Sequence, residues 1–582
     1  MSELREKLLE AYRVGNFLQA ALDTTFDEKE SSDFVAETLV ALHNEGAVDV
    51  IEQFMGLYNK QGSGSDFFWK LDLLEKSLPH MNAPTQHVMA CVAHLSAETG
   101  QNIAANLLST PFIDFCVADP SRPDEALHLI EESPLQWMDF VCPIIVAGTR
   151  VNMERYFEEA IRLAAHDNIE IRKRAVFSLG RIQYPVQSEL PRQALDCLER
   201  LVVQETDDHL LENAIKSICT ICMTDGSLTD KGGEILDLAL SKGGDYALHA
   251  ASASFGSDIG KLPEPLLDLI IQNLPRINPK NKGTVDMIDY GVLRLLKRDN
   301  PSQGIEFLED FLLTHAQDLS LESLDSVVHE IQRSNKKLLN KLLTRWFFKG
   351  DRILCDGISI VVEAAHGEEM PLEVDPAEIP TPDFVHLIFL AHKAIGYLFL
   401  KPITTASIII SLIRQTNDAN VLQELGTLLF DPLLLNFSGS LYDFLTGRVG
   451  IESGQTKDAI QTALDIFNTY LEDLKSVGNI PEMHPSQDQR EAQARHFHQA
   501  VSTSYKEAMK ESIFNLLCSK SVILYGSKSI NYIQGPSGKS QRMEIPMSSH
   551  RTEIEVPRQD HIDPAGIEYM LRIFRAERMV KP

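Results

Sequence analysis

The stretch YFEEAIRLAAHDNIEIRKRAVFSLGRI, residues 156–182, reads as two helices joined by a turn. The first carries Ala160, Ile161, Leu163 and Ala164 toward one side. Asp167 and Asn168 then supply side-chain oxygens suited to capping a second helix. That helix sets Ile171, Ala175, Leu179 and Ile182 on one stripe, at steps of four, four and three. The same cassette returns. Leu210, Ala214 and Ile218 stand 39 positions after Ile171, Ala175 and Leu179, and Ala247, Ala251 and Phe255 stand 76 positions after them. Gly180 has a counterpart in Gly256. Fainter helix pairs follow at Leu266 to Leu296, Gly304 to Ile331 and Leu338 to Ala365. A period of this length is the mark of a helical solenoid. A lone helix pair cannot offset the ordering of its backbone, so each pair must complete its interior against the next.

Residues 167–180, DNIEIRKRAVFSLG, resemble the second helix of a HEAT repeat, with Asp167, Ile171-Arg172, Ala175 and Leu179-Gly180 at the family's Asp, Val-Arg, Ala and Leu-Gly positions. The resemblance implies an armadillo-like α-solenoid. The family's basic ladder position, Arg172, is Leu211 and Leu248 in the next two units, so the array expected is degenerate and irregularly curved.

Outward from this core, the fold class expected is mainly α, a HEAT-like solenoid with a small β-containing module at its C-terminal end. At 582 residues the chain is too long for one ordinary domain. The expected division is an N-terminal helical segment (1–79), degenerate repeats (80–366), an acidic linker with four prolines (367–383), a second helical block (384–518) and a β-containing module with a closing helix (519–582). QGSGSD, residues 61–66, reads as a loop within the first segment. In the last, SVILY (521–525), INYIQ (530–534), RMEIPM (542–547) and TEIEV (552–556) read as four short strands. The closing helix has Asp563 as cap, Pro564 in its first turn and an apolar stripe of Ile567, Met570, Leu571 and Phe574.

The formal net charge of -29 opposes a long-range grip on phosphate backbones or anionic membranes. Residues 539–582 hold 8 basic and 7 acidic side chains, which leaves -30 on the rest. Charged residues interrupt the first 17 residues where an export signal needs an apolar core. The apolar run Phe384 to Leu400 contains His386, His392 and Lys393 and is shorter than the roughly 20 residues a bilayer requires, so it reads as buried helix. Eight dispersed cysteines fit a reducing cytoplasm.

Four sequences invite chemistry. Cys219-Thr-Ile-Cys222 has half a zinc-site spacing, but lacks a second half and lies on a solenoid helix, where Cys packs as a small apolar residue. Gly535-Pro-Ser-Gly-Lys539-Ser540 resembles the end of a phosphate loop, yet the segment after it reads as a strand, so a hairpin turn is expected. His496 and His498, with His484 nearby, stand at i and i+2 and point apart on a helix. Arg172, Lys173 and Arg174 open a repeat helix, where the repeat itself accounts for them. No catalytic, cofactor-binding or metal-ligating set is assigned. The residues expected to meet a partner are Arg572, Phe574, Arg575 and Arg578 of the closing helix.

The reading is a non-enzymatic interaction scaffold or adaptor, a cytoplasmic subunit of a larger complex, with nucleic-acid processing as one setting. Its acidity favours a protein partner with a basic surface. No cofactor and no membrane contact are expected; direct nucleic-acid contact is left to the near-neutral C-terminal module. Two alternatives stand: an enzyme whose site in that module involves His550, Asp560 and His561, and a nucleic-acid-binding solenoid.

Overall fold

The computed structural model describes residues 2–27, 31–59, 64–100, 108–333, 336–364, 369–478, 480, 485–510, 518–524, 528–534, 540–546 and 555–579. It is predominantly helical with a small C-terminal β element. The chain divides into two compact units, Met1–Phe307 and Leu308–Pro582. This boundary falls inside the stretch read above as one array.

In the first unit, the deciding sequence forms α1 (Met153–Ala164) and α2 (Ile169–Leu179). Asn168 caps α2 by accepting a hydrogen bond from Glu170 N; Asp167 precedes it in the turn. The chain continues as α3 (Leu190–Gln204), α4 (Asp208–Thr224), α5 (Thr229–Lys242), α6 (Asp245–Asp258), α7 (Glu264–Asn273) and α8 (Lys282–Leu296). The even-numbered helices pack on one another in order, α2 on α4 on α6 on α8, and the odd-numbered ones do the same, α1 on α3 on α5 on α7. Two parallel layers of helices result, joined within each pair. This is a tandem-repeat solenoid arrangement.

The stripes that announced the repeat form its interior. Ile171, Ala175, Leu179, Leu210, Ala214, Ile218, Ala247, Ala251 and Phe255 are all buried. A small residue recurs with them: Ser178, Ser217 and Ser254 occupy equivalent positions and are buried too. Ser217 Oγ donates to Val176 O of the preceding repeat at 2.8 Å, tying α4 to α2. A Cβ on Gly180 would lie 2.6 Å from Ser217 Cα, and one on Gly256 would lie 2.6 Å from Met287 O. Glycine is therefore what lets α2 meet α4, and α6 meet α8, backbone to backbone.

Polar groups are stitched across repeats. Asp207 caps its own helix through Leu210 N, while Asp208 accepts from Gly244 N and Ala247 N and so caps α6 in the next repeat. The three basic residues of α2 are consumed in this way. Arg172 pairs with Glu205 at 2.9 Å, Lys173 with Asp207 at 3.3 Å and Arg174 with Asp139 at 2.5 Å. Cys219 and Cys222 are buried side by side in α4, and burial pushes each thiol up to about 12, so both are neutral packing groups.

The second unit repeats the layered scheme with α9 (Lys336–Lys349), α10 (Arg352–Glu363), α11 (Phe384–Leu398), α12 (Pro402–Ile413), α13 (Ala419–Leu428), α14 (Ser440–Val449) and α15 (Gly454–Val477). Here α9, α11, α13 and α15 pack successively. The apolar run at 384 is buried helix, as its interrupting His and Lys side chains indicated. No helix among the described residues is long and apolar enough to cross a membrane.

The expected linker at 367–383 is, over its described part, a packed strap. Leu372, Val374 and Ile379 are buried, Val374 N donates to Ser411 Oγ at 2.9 Å, and Asp375 N donates to Thr344 Oγ1 at 2.8 Å. Prolines keep its backbone extended. Its acids have partners as well, since Glu373 meets Arg414 at 2.9 Å. Pro and acid content resembled a linker; alternate apolar side chains buried against α9 and α12 make it part of the unit.

Beyond α15 comes a polar, largely exposed helix, α16 (Gln487–Lys510), on which His496 and His498 are exposed; His484 lies outside the described residues. Among the described residues three strands follow, β1 (Cys518–Leu524), β2 (Lys528–Gln534) and β3 (Ser540–Pro546), antiparallel in the order β1-β2-β3. Cys518, the last residue of the expected second helical block, instead opens a strand. Ser540 opens β3 rather than a helix, while the preceding 535–539 lie outside the described residues. The fourth expected strand falls largely outside them too, and Glu555 and Val556 are not in a strand.

Candidate interaction site at the C-terminal helix

The closing helix, α17 (Pro564–Ala576), begins as its sequence requires, with Asp563 accepting from Gly566 N at 3.0 Å. Ile567 and Leu571 are buried, and the helix packs on α11. Gly396 permits the approach: a Cβ there would lie 3.1 Å from Arg575 N.

Lys393 holds the far end. This lysine is fully buried on α11, and its ammonium donates to Phe574 O at 3.0 Å, Arg575 O at 2.7 Å and Glu577 O at 2.7 Å. Those carbonyls terminate α17, where no intrahelical donor remains and the helix dipole favours a cation. Burial nevertheless holds the Lys393 pKa below the usual lysine value. Around it, the His392 ring stacks on Phe574 with centroids 4.2 Å apart, and His392 Nδ1 lies 2.8 Å from Glu577 Oε2. Arg575 Nε donates to Gly396 O.

The segment leading into α17 is fastened in the same manner. Glu555 caps α14 by accepting from Gly439 N at 2.7 Å and Ser440 N at 3.0 Å, and Gln559 exchanges hydrogen bonds with Asn436. Residues 555–579 are thus a strap and helix sewn into the helical unit.

Of the four residues expected to meet a partner, Phe574 and Arg575 face α11 and hold α17 in place. Arg572 lies on the exposed side, paired with Glu568 at 2.7 Å. Arg578 is exposed and turns its guanidinium toward Arg575 O at 3.2 Å. The exposed side also carries Tyr569 and Ile573, 69% and 48% exposed, which the stripe argument passed over because it followed the buried face. Their i, i+4 spacing was the available signal.

Two concavities lie nearby, one reached by Arg578 beyond the end of α17 and one lined by α17 itself. One of about 730 Å³ is lined by Leu313, Asp318, Asp351, Asp356 and Arg578 among others. The other, about 300 Å³, lies between Tyr397, Lys401, Glu363 and the α17 side chains Glu568 and Arg575, with Asp560 at its edge. Asp560 is exposed, His561 stands in the adjoining short turn Arg558–His561, and His550 lies outside the described residues. Among the described residues no group of three or more His, Cys, Asp or Glu is placed to hold a metal ion.

The fold and this site define a helical tandem-repeat, solenoid-type protein with its terminal helix folded back onto the stack. No protein-family model matches the chain, and no curated protein matches it. Similar solved structures include the crystal structure of an engineered protein, 13% identical over 79% of this chain and 98% of that one, with a TM-score of 0.17. Another is a circular tandem repeat protein with novel repeat topology and enhanced subunit contact surfaces, 14% identical over 82% of this chain and 97% of that one, with a TM-score of 0.15. Scores this low carry no argument about this chain; the class rests on the successive packing of its own helices.

Proposed function

We propose that this protein is a non-enzymatic interaction scaffold, a HEAT-like adaptor subunit of a larger cytoplasmic complex. The observation that carries the reading is the layered stack in each unit. Stacked pairs expose long rows of helix surface suited to large partners, while their own charged groups are engaged in holding neighbouring repeats together. The net charge of -29 favours a partner with a basic surface, such as a nucleic-acid-processing subunit, by steering its approach. The described cysteines Cys91, Cys116, Cys142, Cys197, Cys219, Cys222 and Cys355 are free, which suits a reducing compartment. Cross-linking followed by affinity capture from native lysate at physiological salt tests the reading. A reproducible stoichiometric partner is expected; recovery of the bare chain would count decisively against it.

The enzyme alternative would centre on the cavity beside Asp560, where Glu363, Lys401 and Glu568 also converge. An activity lost in Asp560→Asn while the helical circular-dichroism signal is retained would favour it over the scaffold.

A further inference from the structure

We propose that the groove between α13 and α15 is a docking site for a basic amphipathic helix of a partner protein. This inference rests on the scaffold reading and gives it a specific surface and a partner chemistry.

The groove has a volume of about 390 Å³ and runs between the two helices, with Leu422, Gly426, Ala459, Thr462 and Ile466 along it. Gly426 and Ala459 keep its floor open, since even a Cβ on Gly426 would come no nearer than 3.7 Å to Ala459 O. Two threonines make it more apolar than its sequence suggests. Thr427 Oγ1 donates to Gln423 O at 2.9 Å and Thr462 Oγ1 to Asp458 O at 2.8 Å, so each hydroxyl is satisfied on its own helix and the methyl is left to line the wall. Ile466 is 44% exposed at the groove's edge. An isolated exposed isoleucine is ordinary, but one bordering a trough between successive helices of one solenoid row is a place for an inserted side chain.

Charge selects the occupant. Along α15, Asp458 lines the groove together with Gln423 and Gln455, and Asp465 and, beyond the groove, Glu472 and Asp473 continue the same side, all four acids within about 80° of Thr462 at 100° per residue. The two lysines of α15, Lys457 and Lys475, fall about 140° from Thr462, and α13 contains no Lys or Arg. Arg558 stacks on Tyr470 at 5.8 Å, further along α15. An apolar trough with an acidic edge complements a helix that presents leucine-like residues at i, i+4 and i+7 with lysine or arginine beside them. An acidic helix would meet like charge along its whole length.

The test uses the full chain and a fluorescein-labelled synthetic helix of about 18 residues, roughly five turns, built from Leu on one face with Lys flanks and Ala elsewhere. A matched peptide has Glu in place of Lys. Fluorescence anisotropy should show saturable binding of the Lys peptide and none of the Glu peptide. Ile466→Arg should weaken binding about tenfold. Val186→Arg, at a position 93% exposed in the other unit, adds the same charge and should leave binding unchanged. Asp458→Lys with Asp465→Lys should weaken binding and flatten its salt dependence. Unchanged melting of Ile466→Arg certifies the fold. Equal losses from Ile466→Arg and Val186→Arg would reduce the effect to bulk charge and overturn the proposal, as would self-association of the chain through Ile466 without peptide binding. Captured cellular partners that survive Ile466→Arg would sink the groove and leave the scaffold reading standing; absence of any partner would remove both.

Discussion

Lys393 shows how much can depend on one side chain that the sequence presents as an interruption. Its charge inside an apolar helix argued against a membrane span, and in the fold it closes three carbonyls at the end of α17. Lys393→Met keeps the volume and removes the donor: Phe574 O loses the ammonium, and Arg575 O and Glu577 O are left with only the longer bonds from Arg578 Nη1, at 3.2 and 3.1 Å. The expected cost is about 3 kcal/mol, read by urea melting, with faster amide exchange confined first to 564–576. Unaltered exchange there would mean that the cap is not what holds the helix. Glu309 is a second such residue. Its buried carboxylate accepts from Arg345 Nε at 2.7 Å, Trp346 Nε1 at 2.9 Å and Lys349 Nζ at 2.6 Å. Burial alone would raise its pKa, but the bonds from Arg345 and Lys349 outweigh that and hold it below the usual 4.5. A carboxyl depressed in the folded state contributes stability that is full above its unfolded pKa and is lost as pH falls through the folded one. Wild-type stability should therefore decline below about pH 4.5, and Glu309→Gln should be less stable at neutral pH with a shallower acid decline. Parallel acid slopes in the two proteins would contradict this.

At the scale of elements, the contacts between successive helices are set by small residues. Gly256→Ala puts a methyl against Met287 backbone, which cannot move aside as a side-chain tip could. The expected cost is about 2 kcal/mol or more, measured by thermal melting, whereas Gly226→Ala, with open space around it, should change little. If both substitutions are equally mild, α6 and α8 are not held backbone to backbone. The period of the stripes was legible in residues 171–255 because buried apolar positions must repeat wherever the stack repeats. The recurring Ser178, Ser217 and Ser254 were present in the same sequence, yet serine carries no hydrophobic signal, and only the 2.8 Å bond from Ser217 to Val176 O of the preceding helix shows why that position is small. The strap at 369–383 misled for a related reason: prolines and acids mark extended backbone equally well in a free linker and in a segment packed against α9 and α12.

In the whole molecule, stability in each unit passes from neighbour to neighbour rather than through one central core. Ala251→Glu buries a charge where α6 meets its neighbours, and hydrogen exchange should accelerate in α4, α6 and α8 before it does in α9 to α15. Simultaneous loss of protection throughout the chain would argue for a single cooperative globule. The amino-acid sequence alone determined the helical class, the repeat stripe, the caps at Asn168 and Asp563 and the burial of the apolar run at 384, because each depends on residues close in the chain or on a strict period. Tertiary structure decided the rest. Lys393 finds Phe574, Glu555 finds Ser440, Glu309 finds Arg345, and α13 leaves an apolar trough beside the acidic edge of α15. Such meetings depend on which helix faces come into register across tens or hundreds of residues, and hydrophobic periodicity says which face turns inward without saying what it will touch.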